Sequence, residues 1–568
     1  MELKPFSDCL LLTASAAAFA HVAVERAIAQ RPSSAAVEQR TMGALPAPAL
    51  VASFDGLGFG FEGPQGTAAL RNPSDNSLAV GPNHIAQTVN TRMAIFTKKG
   101  AQFDTTGRAL YGPVPTNNVF RGFGGTCEAR NNGDAVVRYD QIANRWLIVM
   151  PIFSRIPYRP DQPVGTTPRD PAQLSVPGVA GQPGPPAPLF QPPRPAPDTA
   201  TPQRGGGRGA QPTGPQGVYA MCYAISTGTD PFGPYYRYEF LRPYFPDYPR
   251  PAVWPDGYYV PTSTGDNRIS DSVATQKHAC VVERERMLRG EPAQEQCVII
   301  ENAGFLNNAD LDGTALPPAG APNIMMAAGG TQLDSIYADS VIDVWQFKVD
   351  WQNPRNTRVT GPVKIPVAPY TYLCDGQLTR CVPQPGTGQR LDSQGDKIMA
   401  RLVYRRIGER ASLVATHSVN TSRGGGGVRW YEFTAEAGGA VRLRQQGTYL
   451  GDSLYRWMAS PAIDKFGNIG IGYSFGSATH FPGQRFAGRR AGDPLGQLTL
   501  RESVLIEGQA AQTGQAPNYS NLRWQDYTQT AVDPTDDCTV WYVGDYVKAD
   551  ATSYSTRIGA FRMPGCGM

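Results

Sequence analysis

Net charge is scarce in this chain of 568 residues: 52 Lys and Arg stand against 48 Asp and Glu, and charged residues make up only 18%. So weak a field excludes the basic surfaces that hold nucleic acid or an anionic membrane. Histidine is scarcer still, at 5, and no C-x-x-C or H-x-x-x-H spacing occurs, so a zinc centre has no ligand set. Beyond the first thirty residues no apolar run approaches the roughly 20 residues that span a bilayer. Long uninterrupted helices are excluded too, because Gly (62) and Pro (51) together fill close to a fifth of the positions.

What is present suits an exported, strand-rich protein with a large core, since 41% of residues are hydrophobic and 10% aromatic. Lys4 precedes an apolar run from Leu10 to Val24, and Ala27-Ile28-Ala29 has the small-x-small pattern of a cleavage site. Residues 1–29 therefore read as a signal peptide, with the periplasm and the exterior both open as destinations. Cys9 falls inside it. The other eight cysteines form an even set, as disulfides require in an oxidising compartment. Short loops favour Cys280 with Cys297 and Cys374 with Cys381, which leaves Cys538 with Cys566 and Cys127 with Cys222.

Two stretches lack any apolar period. Residues 30–49 read as a flexible tail, and 157–216, with PGPPAPLFQPPRPAP followed by RGGGRGA, as a long disordered insertion. The remainder, 50–568, is written in short apolar or alternating runs such as HIAQTV, RWLIVM and NIGIGYSF, bounded by Gly, Pro, Asn and Asp.

These strands recur in larger units. Six segments open on an aspartate, pass through an apolar strand to a tight turn, and enter a second strand; they begin at Asp75, Asp134, Asp247, Asp396, Asp452 and Asp526. A seventh and weaker member starts near Asp334. Intervals of about sixty residues, each with several strands, are what a propeller blade needs. The expected fold is all-β, a single β-propeller, with seven blades preferred and six or eight also compatible. The segment SFDGLGFGFEG ahead of the first repeat is expected to join the sheet and close the ring.

On AVGPNHIAQTVN, GDAVVRYDQIANRWLI, FPDYPRPAVWPDGYY, PQPGTGQRLDSQGDKIMARLVYR, DKFGNIGIGYS and VDPTDDCTVWYVGDYV, the chain resembles a family of exported bacterial propeller-like proteins, largely without assigned function. The resemblance implies fold and export. It implies no catalytic residue.

Candidate chemistry comes from the residues themselves. If each aspartate opens the strand nearest the axis, then Asp134, Asp247, Asp396 and Asp526 converge on one mouth of the channel. Clustered carboxylates raise one another's pKa unless a cation offsets them. Oxygen-only ligands suit Ca²⁺, so these four are the expected metal and ligand set; Arg138, Arg401, Arg456 and Arg523 are the alternative source of positive charge. The bland alternative is that each aspartate caps the turn into its strand. Tyr248 and Trp524, close in sequence to these aspartates, are expected to stack on a ligand such as a sugar, whereas Trp146, Trp254, Trp345, Trp430 and Trp541 fit blade packing equally well.

Gly472-Tyr473-Ser474-Phe475-Gly476 matches the G-x-S-x-G nucleophile pattern, but no helical pattern follows it, so Ser474 reads as a strand residue. Asp310-Leu311-Asp312-Gly313 is a fragment of a calcium loop without its remaining ligands, which reads as a polar surface turn. Three functions remain: a monomeric binding module for a glycan or a cell-surface protein, stabilised by calcium; a carbohydrate-active hydrolase or lyase working through Asp, Tyr and Arg at the mouth; or a structural envelope protein. The aspartate-box pattern S-x-D-x-G-x-x-W of sialidase-like propellers is absent, which weighs against the second.

Overall fold

The computed structural model describes residues 34–67, 71–157, 184–188, 217–263, 276–301, 303–329, 340–514 and 522–566. The expected signal peptide and most of the expected insertion lie outside them. The fold is all-β. Its strands form six sheets, five of four or five strands and one of nine that holds two four-stranded meanders. These two meanders join through a parallel pairing of their first strands, Asn307–Leu311 and Leu402–Ile407.

The local reasons are those of ordinary antiparallel sheets. β-branched and aromatic residues fill the strands, and aspartates end the first strand of several meanders by accepting backbone N–H bonds in the turn. Asp140 Oδ1 takes Ile142 and Ala143 N–H at 3.0 Å each, and Asp464 Oδ1 takes Phe466 and Asn468 N–H at 2.9 and 3.0 Å. Gly467, at φ +83, supplies the left-handed residue the latter hairpin requires.

The first strands stand against one another in cyclic order. Ser77–Val80 touches Val136–Asp140, which touches Ala252–Trp254; then follow Asn307–Leu311, Leu402–Ile407, Tyr455–Ile463 and Gln529–Val532, and the last returns to Ser77–Val80. The apolar cores lie between neighbouring meanders. Leu78, Val80 and Ile85 meet Trp541, Val543 and Ile558, while Ala462 and Phe486 meet Val540, Tyr542 and Phe561. The arrangement is propeller-like. The meander that ends the chain takes its outermost strand, Ala49–Asp55, from the chain's beginning, paired antiparallel with Ser555–Arg562; of the segment SFDGLGFGFEG expected to close the ring, Ser53–Asp55 lie in this strand.

Two expectations change. Residues 34–49 are not a free tail: Glu38–Gln39 pairs in parallel with Val441–Tyr449, and Leu45 bridges to Leu500, so the stretch covers two outer sheet edges. The repeat sought near Asp334, itself outside the described residues, begins earlier. Its first strand is Asn307–Leu311, and the Trp-bearing strand Val341–Lys348 is the third of that meander. No aspartate precedes Asn307; Phe305 stands there, which is why a search keyed on aspartate lost the phase.

All four disulfides join the expected cysteines: Cys127–Cys222, Cys280–Cys297, Cys374–Cys381 and Cys538–Cys566. Cys280 and Cys297 lie directly opposite each other on paired strands. Among the described residues no helix is long and apolar enough to cross a membrane.

Candidate functional site

Each first strand begins at the same end of the cyclic arrangement, and the residues just ahead of these strands form its mouth. Asp75, Asp134, Asp396 and Asp526 are all buried there, and Asp247 is half-buried. Their mutual influence places them together. Burial first, then the Asp134 and Asp526 carboxylates, hold the Asp75 carboxyl well above the ordinary range. Asp134, Asp247 and Asp75 all bear on the Tyr527 hydroxyl, which burial above all drives upward. Asp452, though it precedes the first strand Tyr455–Ile463, does not share in this mutual influence; its carboxylate is 2.7 Å from Arg456 and caps Leu454 N–H at 2.9 Å.

Positive charge sits among the carboxylates. Arg523 Nη2 is 2.5 Å from Asp526 Oδ1 and its Nε 3.1 Å from Asp392 Oδ2. Lys397 Nζ is 2.7 Å from Asp396 Oδ1. Neither Asp396 oxygen accepts a well-aligned hydrogen bond, and Asp75 Oδ1 has no partner. Of the four carboxylates from which a calcium ring is expected, Asp396 and Asp526 each have a cation of the chain beside them. Among the described residues the one trio of His, Cys, Asp or Glu side chains with ligand atoms within 4.8 Å of one another is His278, Cys280 and Cys297, and both cysteines are bonded to each other.

Aromatic rings divide the mouth into two halves. Tyr248 stacks on Tyr527 with centroids 5.2 Å apart and meets Phe305 edge-on at 5.0 Å. Around the Phe305 ring gather three cations, Arg250 at 5.6 Å, Lys277 at 4.4 Å and Lys397 at 4.4 Å. Burial, with Lys397 and Arg250 beside it and against the pull of Asp396, brings Lys277 down to about 8. On the other side of the tyrosines lie Asp75, Asp134 and Asp526 with Arg523. Gln394 bridges the halves: its amide donates to Asp526 Oδ1 at 2.8 Å, and its oxygen accepts from Lys397 at 2.5 Å and from Tyr248 Oη at 3.2 Å. Backbone strain concentrates in the same place, for Asp75, Tyr248, Gln394, Gln525 and Asp526 all have φ between +44 and +66.

The other expected site residues lie elsewhere. Arg138 and Arg401 belong to the channel below the mouth. Arg401 Nε is 2.6 Å from Asp310 Oδ2 and its Nη2 2.7 Å from Asp312 Oδ1, while Arg138 Nε is 3.4 Å from Asp310. Burial lowers Arg138 to about 10. Asp310 and Asp312 are thus buried partners of arginines rather than a polar surface turn, because this segment is the first strand of its meander. These four side chains help line a cavity of about 20 Å³ in the channel, room for a single water. Trp524 is fully buried against Trp457 at 6.4 Å, its Nε1 donating to Ser474 Oγ at 3.3 Å, and cannot stack on a ligand. Ser474, on the strand Ile469–Ser477, donates to Gln525 Oε1 at 2.6 Å and has no histidine beside it; the strand reading of that motif stands.

Arg250, Lys277, Lys397 and Phe305 were not singled out from the sequence. The signal was within reach for two of them: Arg250 follows Asp247 by three residues and Lys397 follows Asp396 directly, so each sits in a repeat opening already marked.

No protein-family model matches the chain, and no curated protein matches it. Solved structures similar to it include a protein of unknown function from Dyadobacter fermentans, 9% identical over 91% of this chain and 100% of that one, with a TM-score of 0.32. An α-L-arabinanase of Penicillium chrysogenum, complexed with arabinobiose, is 8% identical over 56% of this chain and 94% of that one, at 0.27. The polysaccharide lyase Uly1 is 8% identical over 92% of this chain and 99% of that one, at 0.31. Scores this low carry no argument about what this chain binds.

Proposed function

We propose that the protein is an exported, monomeric propeller of seven blades, one for each meander, whose mouth binds a polyhydroxylated ligand of the carbohydrate class. The gathering of Asp75, Asp134, Asp247, Asp396 and Asp526 around the Tyr248–Tyr527 pair carries this reading. Carboxylates accept from sugar hydroxyls, and tyrosine faces take their apolar ring surface. A cluster of like charges serves folding poorly, since burying it costs more than apolar packing would; perturbed groups that persist together favour a binding role. Tyr248 and Asp247 are the partly exposed members through which a ligand makes contact. The four disulfides support the exported setting.

Titration against a panel of neutral and acidic oligosaccharides tests the reading. Binding of at least one class, weakened about tenfold or more in Tyr248→Ala, is the expected result. A full panel without binding would remove the carbohydrate assignment.

One observation favours a second reading, glycoside hydrolysis. Burial and the neighbouring Asp134 and Asp526 carboxylates raise the Asp75 carboxyl well above its ordinary range, the direction a general acid requires. Release of reducing ends that disappears in Asp75→Asn would favour catalysis over binding alone.

A further inference from the structure

The Arg250 side chain is 6% exposed, yet its hydrogen-bonding capacity is mostly unspent. Nη1 donates to the Ile398 carbonyl oxygen at 2.5 Å, while Nε and Nη2 have no partner. Those two nitrogens lie along one edge of the guanidinium, with parallel N–H bonds spaced to meet both oxygens of a single carboxylate. A buried donor left unmade is expensive, and two on one charged group more so. Water could meet each N–H singly, but the surroundings favour an anion. Lys277 and Lys397 share the Phe305 ring with Arg250, and the carboxylate in ion-pair contact there, Asp396, is engaged by Lys397. The Tyr527 hydroxyl, also buried and without a partner, acts electrostatically on Arg250 together with Tyr248. Around Phe305 the three cations Arg250, Lys277 and Lys397 thus face two carboxylates, Asp396 and Asp247, while Asp75, Asp134 and Asp526 lie about the Tyr527 side.

We infer that the unpartnered edge of Arg250 receives a carboxylate, and that the ligand of the mouth is an acidic sugar, a uronate, whose hydroxyls face Asp75, Asp134 and Asp526. This rests on the carbohydrate reading above and narrows it to one class. A sugar carrying an acid at one end and hydroxyls at the other matches a mouth that is basic on one side of the tyrosines and acidic on the other. A neutral sugar would leave the Arg250 edge unmet, and a simple carboxylic acid would leave the aspartates unused.

The test is calorimetric titration of the full chain with galacturonate, galactose and acetate. Galacturonate is expected to bind at least about tenfold more tightly than galactose, the worth of a charged bidentate hydrogen bond, and more tightly than acetate. In Arg250→Lys, which keeps the charge but loses the edge, that preference should fall to near parity while any affinity for galactose persists; an unchanged near-ultraviolet dichroism spectrum reports that the variant is folded. The comparison of the three ligands on the unaltered chain stands without the variant. Equal affinity for galacturonate and galactose overturns the inference and leaves the carbohydrate reading in place. Binding of neither sugar overturns the inference, and the carbohydrate reading falls with it only if the full oligosaccharide panel also fails to bind. Acetate binding as tightly as galacturonate also overturns it, since the hydroxyls would then contribute nothing.

Discussion

Asp545 illustrates how a residue outside the expected set shapes the mouth. Its Oδ1 accepts from Ser74 Oγ at 2.8 Å and Asn76 Nδ2 at 2.7 Å, but Oδ2 has no partner, and burial raises its carboxyl to about 8. A folded-state value above the unfolded one, about 3.9, means that the folded protein binds the extra proton. The stability this contributes is fully present below the unfolded value and is lost as pH climbs through about 8. Asp75 is shifted in the same direction. The melting temperature is therefore expected to fall between pH 5 and pH 8, and Asp545→Asn, which keeps the accepting oxygen, should flatten that slope without abolishing it. An equal slope in variant and wild type would count against the assignment. Calcium is tested at the same scale. Because Lys397 and Arg523 already neutralise Asp396 and Asp526, neither chelator nor added Ca²⁺ is expected to move the melting temperature, and a rise of several degrees with Ca²⁺ would restore the metal. The sequence could mark these aspartates because the repeat placed each before a strand. Lys397 and Asp396 are chain neighbours, but the sequence could not say that Arg523 meets Asp392, since that pairing comes from the packing of distant segments.

At the scale of elements, the repeats were legible because Asp, an apolar strand and a turn recur with fixed spacing; Asn307–Leu311 escaped because its opening carries Phe305 instead. Strand ends also join neighbouring meanders. Asp140, at the end of Val136–Asp140, receives Arg284 Nε at 2.7 Å and the Tyr258 hydroxyl at 2.8 Å from the next meander, and Asp533 binds Lys98 Nζ at 2.5 Å across the closure. Asp140→Ala would leave the buried Arg284 with Glu285 alone, and a loss on the order of 3 kcal/mol is expected in denaturant unfolding. A change below about 0.5 kcal/mol would place the pair among the inconsequential ones. The Pro- and Gly-rich stretch 157–216 leads to a separate expectation. Limited proteolysis should cut there first, and because Cys127–Cys222 spans the cut, the two fragments should stay joined until reduced. Fragments that separate without reductant would show that this bridge does not form.

For the molecule as a whole, what decides stability is that no meander owns its core. Apolar clusters bridge neighbouring meanders, so a meander that opened alone would expose the faces it shares with them. Unfolding is therefore expected as one transition by fluorescence and far-ultraviolet dichroism together, and two separated transitions would mean two independent domains. Closure makes the ring vulnerable at one place. The strand Ala49–Asp55 is the single connection by which the start of the chain completes the last meander, and Phe54 within it packs on Phe96 of the first. The sequence marked only the end of this strand, from Ser53, and not the preceding pairings of Glu38–Gln39 and Leu45, because two polar residues and one leucine carry no strand period; their partners' open edges created the pairing. A hierarchy follows. A chain lacking residues 34–48 loses edge cover alone and should melt only a few degrees lower, whereas one lacking 34–55 loses the closing strand, bares Ser555–Arg562, and should melt far lower and self-associate through that edge. Sedimentation with thermal unfolding of both truncations distinguishes the outcomes, and equal effects from the two deletions would show that the ring is held by its inner strands without any help from the closure.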